Sequence, residues 1–206
     1  MTHTLTSVRR RAGFTLVEML AVLLILSILM GFLVTSMFSA RQTGNEKLTQ
    51  ARITTIAAAI GTYEGAEGDY PPSSLDDGLA GSGSARNAGV EALVQALWAQ
   101  PHDGAGLADD LLANLDGDTS KGEQLFELVD LWGNPLAYFH RSDYGQKHTY
   151  LTFDNETGEE VETLVEARKH PTTGRWANRR SFQLISAGID GVFGTEDDLA
   201  NFKTTE

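Results

Sequence analysis

Residues 19–40 are predominantly apolar and contain no charged side chain. About 20 such residues are enough for a helix to cross a bilayer. Beyond Arg41 the pattern becomes amphipathic, because apolar residues recur at helical spacing among charged and polar ones. These apolar positions are Leu48, Ile53, Ile56, Ala57, Ile60 and Tyr63. The pattern predicts one long helix over residues 14–66, which spans a membrane over about 14–40.

Two further features define the helical part of the chain. The adjacent prolines Pro71 and Pro72 follow Gly68 and are expected to end the long helix, because proline cannot continue a helix. A second, shorter amphipathic helix is predicted over residues 89–98, and Pro101 follows its end.

The rest of the chain predicts short strands. Residues 132–135 read Trp-Gly-Asn-Pro, which is turn chemistry, and they lead into an aromatic-rich strand. We expect Trp132 to pack against the long helix. Further strands are predicted over residues 149–153, 160–168 and 181–186. The sequence therefore predicts an α+β fold, in which the long helix packs on a small antiparallel β-sheet domain over residues 67–206.

The residues before the apolar segment form a motif. Residues 9–18 read Arg-Arg-Arg-Ala-Gly-Phe-Thr-Leu-Val-Glu. This pattern closely resembles the class III signal of type IV pilins and type II secretion pseudopilins, in which a membrane peptidase cuts after the glycine and methylates the new amine. The resemblance implies a cleaved leader over residues 1–13, with cleavage between Gly13 and Phe14 and methylation of Phe14. A secretory signal peptide is removed together with its apolar region, whereas this apolar helix would stay with the mature protein.

Glu18 is the acidic residue of this motif. A carboxylate in a membrane span costs about 2.5–3.5 kcal/mol near the bilayer centre and less towards its edge, so it needs a compensating partner. The resemblance assigns Glu18 a role in assembly, in which it neutralises the amine of Phe14 on a neighbouring copy. The alternative is an ordinary signal anchor that carries a glutamate by chance.

Charge and composition narrow the possible partners. The 206-residue chain has a formal net charge of −12, which disfavours nucleic acid and is compatible with a hard cation. It contains no cysteine, so no disulfide stabilises it. The arginines before the span predict a cytoplasmic N-terminus, with the remainder of the chain outside.

The last acidic loop is a candidate calcium site. Glycines separate clustered carboxylates over residues 186–198, which lets a loop turn sharply and direct oxygen atoms to one point. The spacing resembles the calcium loop of the type II secretion major pseudopilin. That resemblance implies Ca²⁺ ligands from the side chains of Asp190, Asp197 and Asp198 and the carbonyls of Ala187 and Thr195. The alternative is a solvated acidic turn.

A second acidic segment has the spacing of an EF-hand loop. Asp116, Asp118, Ser120 and Glu127 occupy positions one, three, five and twelve of that pattern. Lys121 stands where the EF-hand turn requires glycine, so the prediction here is a solvated acidic loop.

Features of an enzyme site are scarce. The five histidines are scattered, and neither a Gly-x-Ser-x-Gly motif nor a cysteine nucleophile is present. We therefore predict that the protein is not an enzyme.

The resemblance implies a specific function. It predicts a pilin-like structural subunit of a type II secretion pseudopilus, closest to the major pseudopilin. Such a subunit crosses the bacterial inner membrane once and assembles into a periplasmic filament that drives protein export. The implied partners are other copies of the chain, minor pseudopilins, the prepilin peptidase and the inner-membrane assembly platform. Two alternatives remain: a type IV pilus pilin for adhesion, motility or DNA uptake, and an anchored binding or catalytic domain.

Overall fold

The computed structural model describes residues 13–75, 85–154 and 157–203. The expected leader, apart from Gly13, and part of the glycine-rich segment after Pro72 lie outside the described residues. The chain divides into two compact units, Met1–Arg41 and Gln42–Glu206. The long helix α1, Leu16–Glu67, begins in the first unit and ends in the second, which agrees with the prediction over residues 14–66.

Helix α1 ends in a left-handed turn. Gly68 has φ +82°, and its backbone N–H donates to the carbonyl of Glu64 at 2.8 Å. Glycine adopts this conformation without steric cost, and the hydrogen bond satisfies a carbonyl of the last helical turn. The two prolines then keep the following segment out of the helix.

In the second unit, one face of α1 lies in the hydrophobic core. Ile53, Ile56 and Ile60 are fully buried, as the periodicity predicted. The prediction for Leu48 is wrong, because its side chain is 57% exposed. The buried stripe instead continues through Thr49, whose hydroxyl accepts a hydrogen bond from the backbone N–H of Leu131. Steps of three and then four residues lead from Ile56 through Ile53 to position 49, which places position 48 on another face.

Helix α2, Ala88–Trp98, confirms the second predicted helix and packs into the same core. Its residues Val90, Leu93 and Leu97 are fully buried. Gly89 allows the helix to approach a neighbouring strand closely, because a Cβ at that position would lie 2.7 Å from the carbonyl oxygen of Tyr138.

Nine short strands form four small antiparallel sheets in the described part of the chain. Their bounds are β1 Leu112–Ala113, β2 Thr119–Ser120, β3 Glu123–Gln124, β4 Glu127–Leu128, β5 Ala137–His140, β6 Lys147–Phe153, β7 Glu160–Glu166, β8 Phe182–Ser186 and β9 Leu199–Ala200. Strand β1 pairs with β4, β2 with β3 and β6 with β7, while β5, β8 and β9 form a three-stranded sheet in the order β5-β8-β9. The predicted α+β architecture is therefore confirmed, with its sheet divided into small parts.

Strand β8 is the centre of the three-stranded sheet. All five of its residues are buried. Its one amide side chain, Gln183, accepts from the backbone N–H of Arg168 at 2.6 Å and donates to the carbonyl of Arg168 at 2.9 Å. Because buried polar groups must be hydrogen-bonded, this pairing fixes the segment after β7 against the sheet.

The Trp-Gly-Asn-Pro turn is organised by Asp130, two residues before its tryptophan. The buried carboxylate of Asp130 accepts from the backbone N–H groups of Trp132 at 2.9 Å and Asn134 at 3.0 Å. It also accepts from the hydroxyl of Ser186, at the end of β8, at 2.7 Å. Trp132 itself is half-buried and is not part of the hydrophobic core, and its expected packing against the long helix stays a prediction.

Candidate functional site

The first candidate site is the start of α1. The hydroxyl of Thr15 accepts from the backbone N–H of Glu18 at 3.2 Å. In return, the Glu18 carboxylate accepts from the backbone N–H of Thr15 at 2.8 Å and from its hydroxyl at 2.7 Å. This is a capping box, which satisfies two N–H groups that have no partner within the helix. Sequence reasoning missed Thr15, although the spacing Thr-x-x-Glu before an apolar segment is its signature.

The apolar side chains on either side of Thr15 are exposed. Phe14 is 76% exposed and Leu16 is 81% exposed. The helix over Leu16–Val34 is long and apolar enough to cross a membrane, and none of its residues is buried within the protein. An exposed apolar surface of this extent marks a membrane or protein contact. The capping box therefore lies at one end of an apolar surface.

The second candidate site is the acidic loop between β8 and β9. Asp197 holds this loop together, because its carboxylate accepts from the backbone N–H of Ile189 at 2.7 Å and of Asp190 at 3.1 Å, and from the Thr195 hydroxyl. Partial burial acts to raise the pKa of Asp197, but the hydrogen bond from Thr195 and those from the backbone outweigh it and lower the pKa. Gly188 has φ +68°, and a Cβ there would overlap the carboxylate of Asp197. Glycine is therefore required at this position.

Asp198 is almost completely buried, at 3% exposure. One of its carboxylate oxygens accepts from the guanidinium of Arg168 and from the backbone N–H of Gly194 at 3.0 Å. The other oxygen, Oδ1, is buried and accepts no hydrogen bond. A buried carboxylate oxygen without a donor is the kind of group that a cation satisfies.

The loop meets part of the requirement for calcium. Its predicted ligands are all oxygen atoms, which suits Ca²⁺, and Asp198 Oδ1 has no hydrogen-bond donor. The structure does not bring carboxylate oxygens of Asp190, Asp197 and Asp198 within 4.8 Å of one another, and Arg168 supplies a positive charge to Asp198. The carbonyl ligands predicted at Ala187 and Thr195 lie in the same loop. The calcium ligand set stays a prediction.

The segment with EF-hand spacing is not a solvated acidic loop. Glu127 is fully buried in β4, so that prediction is wrong. Lys121 and Gly122 form the two-residue turn of the β2–β3 hairpin, with φ +53° and +87°. Pairing of β1 with β4 closes the segment into a hairpin and draws Asp116 towards Glu127, which sequence spacing alone does not reveal.

Comparison with known proteins agrees with the motif at the start of the chain. Residues 8–34 match the family model of the prokaryotic N-terminal methylation motif, and this range contains Gly13, Phe14 and Glu18. The chain is also similar to the type II secretion system core protein G of Escherichia coli K12, with 22% identity over 193 residues, which is 94% of this chain and 92% of that protein. No solved structure matches the chain significantly. The two matches confirm the predicted resemblance to pilins and pseudopilins.

Proposed function

We propose that this chain is a type II secretion pseudopilin, a structural and non-catalytic subunit of a periplasmic filament that drives protein export. The observation that carries the proposal is the coincidence of the methylation motif with the apolar helical segment Leu16–Val34, none of whose residues is buried. Similarity to a secretion-system core protein over 94% of the chain favours this function over that of a type IV pilus pilin.

The apolar segment explains how one subunit serves two environments. Its exposed side chains require an apolar surrounding, because transfer of apolar surface from water is favourable by about 25 cal/mol per Å². Lipid tails supply that surrounding before assembly, and the helices of neighbouring copies supply it afterwards. A subunit thus moves from the membrane into a filament without exposing Leu16–Val34 to water.

Glu18 makes this transfer selective. In the single chain its carboxylate caps its own helix through Thr15. Cleavage after Gly13 places a cationic amine on Phe14. This amine is one residue before Thr15, whose backbone N–H already donates a hydrogen bond to Glu18. In the filament, we expect the carboxylate to neutralise the methylated amine of a neighbouring copy, since opposite charges attract strongly in an apolar environment. The ion pair then forms only between aligned subunits.

The proposed topology follows from the same segment. The arginines at positions 9–11 hold the N-terminus in the cytoplasm, and the chain after residue 41 lies in the periplasm. The proposed partners are further copies, minor pseudopilins, the prepilin peptidase and the inner-membrane assembly platform.

We further propose that the loop between β8 and β9 binds Ca²⁺ through Asp190, Asp197 and Asp198 and the carbonyls of Ala187 and Thr195. The support is the all-oxygen donor set and the unsatisfied Oδ1 of Asp198. A bound cation stabilises the folded loop by mass action, which matters in a chain without disulfides. The substitution Asp190→Asn tests this, because it removes a charge and keeps an acceptor for the N–H of Val192. An unchanged number of bound Ca²⁺ ions would contradict the site.

The substitution Glu18→Ala tests the assembly mechanism. We expect the variant to enter the membrane normally, because it removes a charge from the apolar helix and weakens only the cap at the end of that helix. It should fail to form filaments and to support export. Membrane fractionation, filament yield after shearing and secretion of a reporter protein measure these steps separately.

Two matched variants complete the experiment. Ser27→Ala removes a polar group from the same helix, a hydroxyl that bonds the carbonyl of Leu23, and should leave filament yield unchanged. Thr15→Ala weakens the cap by about 1 kcal/mol but keeps the carboxylate, so its effect should be smaller than that of Glu18→Ala. Wild-type filament yield from Glu18→Ala would refute the mechanism.

A further inference from the structure

Three acidic side chains from separate parts of the second unit meet at one point. Glu91 lies in α2, Asp116 follows β1, and Glu127 lies in β4. One carboxylate oxygen from each lies within 4.8 Å of those of the other two. Glu91 and Glu127 are fully buried, and Asp116 is half-buried. This group, the Glu91 cluster, is distinct from the loop between β8 and β9.

The two buried carboxylates differ in their hydrogen bonding. Glu127 accepts from the side-chain amide of Asn87 at 2.9 Å and from the backbone N–H of Leu115 at 3.0 Å. Both carboxylate oxygens of Glu91 are buried and accept no hydrogen bond. Leaving a buried charged group without a partner is strongly unfavourable, so such a group in a folded protein needs an explanation.

The surroundings of Glu91 make its burial still less favourable. Within the described part of the chain, no basic side chain forms an ion pair with Glu91 or Glu127. The carboxylates of Asp118, Asp116 and Glu127 add negative charge around the buried Glu91 carboxyl group. Like charges at this separation repel one another, and a cation between them would reverse the repulsion.

We propose that Glu91, Asp116 and Glu127 bind one Ca²⁺ ion. The site offers only oxygen ligands, which suits a hard cation and not zinc, whose sites favour histidine and cysteine. Ca²⁺ accepts irregular geometry and mixed one- and two-oxygen carboxylate binding, whereas Mg²⁺ demands a near-ideal octahedron. The side-chain oxygen of Asn114, two residues before Asp116 in the sequence, is also buried and accepts no hydrogen bond.

The site differs from an EF-hand although two of its ligands have EF-hand spacing. In an EF-hand the ligands come from one twelve-residue loop. Here the segment between Asp116 and Glu127 contains the β2–β3 hairpin, and the third ligand comes from a helix. The cation would therefore join the hairpin segment to α2, at a place where a chain without cysteine has no covalent link.

Calcium titration of the full-length chain in detergent tests the proposal, with stoichiometry from calorimetry and thermal stability from tryptophan fluorescence. Asp190→Asn provides the background that lacks the proposed loop site. In that background we expect one equivalent of Ca²⁺ to bind and to raise the Tm by about 5–11 °C at 100 times its Kd. Adding Glu91→Gln should abolish both effects, whereas Glu123→Gln, an exposed acid of the same hairpin, should change neither.

The stability of Glu91→Gln in chelator separates a ligand from an ordinary buried acid. Glutamine has the same shape without the charge, so in chelator the variant should be at least as stable as its parent. In saturating Ca²⁺ it should be less stable. If Glu91 is only a protonated core residue, the Asp190→Asn variant with and without Glu91→Gln will show the same difference in Tm in chelator and in Ca²⁺. That result would overturn the proposal. Absence of calcium binding in the folded Asp190→Asn variant would overturn it as well.

Discussion

The substitution Gly89→Ala tests the close packing of α2 on β5. In an ordinary helix this change is favourable by up to about 1 kcal/mol, because alanine has the higher helix propensity. At this position the added Cβ would lie 2.6 Å from the hydroxyl of Tyr150 and 2.7 Å from the carbonyl oxygen of Tyr138. The hydroxyl can move, but the carbonyl belongs to a buried strand and cannot move without shifting the sheet.

The clash should outweigh the gain in propensity. Overpacking a core costs about 1–3 kcal/mol. Displacement of the Tyr150 hydroxyl also weakens its hydrogen bond from the backbone N–H of Tyr138, now 2.9 Å long, at about 1 kcal/mol. After the gain in propensity is subtracted, Gly89→Ala should lose about 1–3 kcal/mol, which lowers the Tm of a domain of this size by about 2–12 °C.

Urea unfolding of the full-length chain, followed by tryptophan fluorescence, measures this change. All three tryptophans, Trp98, Trp132 and Trp176, lie in the second unit, so the signal reports that unit. Gly61→Ala is the matched control, because Gly61 lies within α1 and nothing would approach its Cβ within 4 Å. This control should gain about 0.5–1 kcal/mol. Equal stabilisation by the two substitutions would refute the packing argument.

Two further predictions concern the core and its response to pH. Ile56→Ala should destabilise the second unit by about 2–5 kcal/mol. Leu48→Ala, on the exposed face of the same helix, should change the unfolding free energy of that unit by less than about 0.5 kcal/mol. Equal losses of stability in the two variants would contradict the observed buried face. Burial lowers the pKa of His148 from 6.5, so the unfolded chain binds its proton more readily and stability is lost as the pH falls through that value. His148→Phe keeps an aromatic ring beside Phe139, whose ring centroid lies 5.0 Å from that of His148. The variant should lose less stability between about pH 7.5 and 5.5, as measured by urea unfolding. An unchanged pH dependence would show that other groups cause the loss.

The sequence determined the features that depend on neighbouring residues. The apolar segment and its amphipathic continuation predicted α1 closely, because helix periodicity is a local property. Turn residues located the hairpin of β6 and β7 and the strand after the Trp-Gly-Asn-Pro turn for the same reason. The methylation motif was also recognised from contiguous residues.

Tertiary structure decided which side of each element is buried and which distant groups meet. Periodicity predicted Leu48 on the buried face, but packing buries Thr49 instead, and its hydroxyl accepts a hydrogen bond from the backbone N–H of Leu131. The burial of Glu127 required the β1–β4 pairing, and the meeting of Glu91 with Asp116 required a helix and a hairpin more than twenty residues apart. Such contacts depend on how the whole chain closes around its core, and no local pattern encodes the resulting distance between two carboxylates.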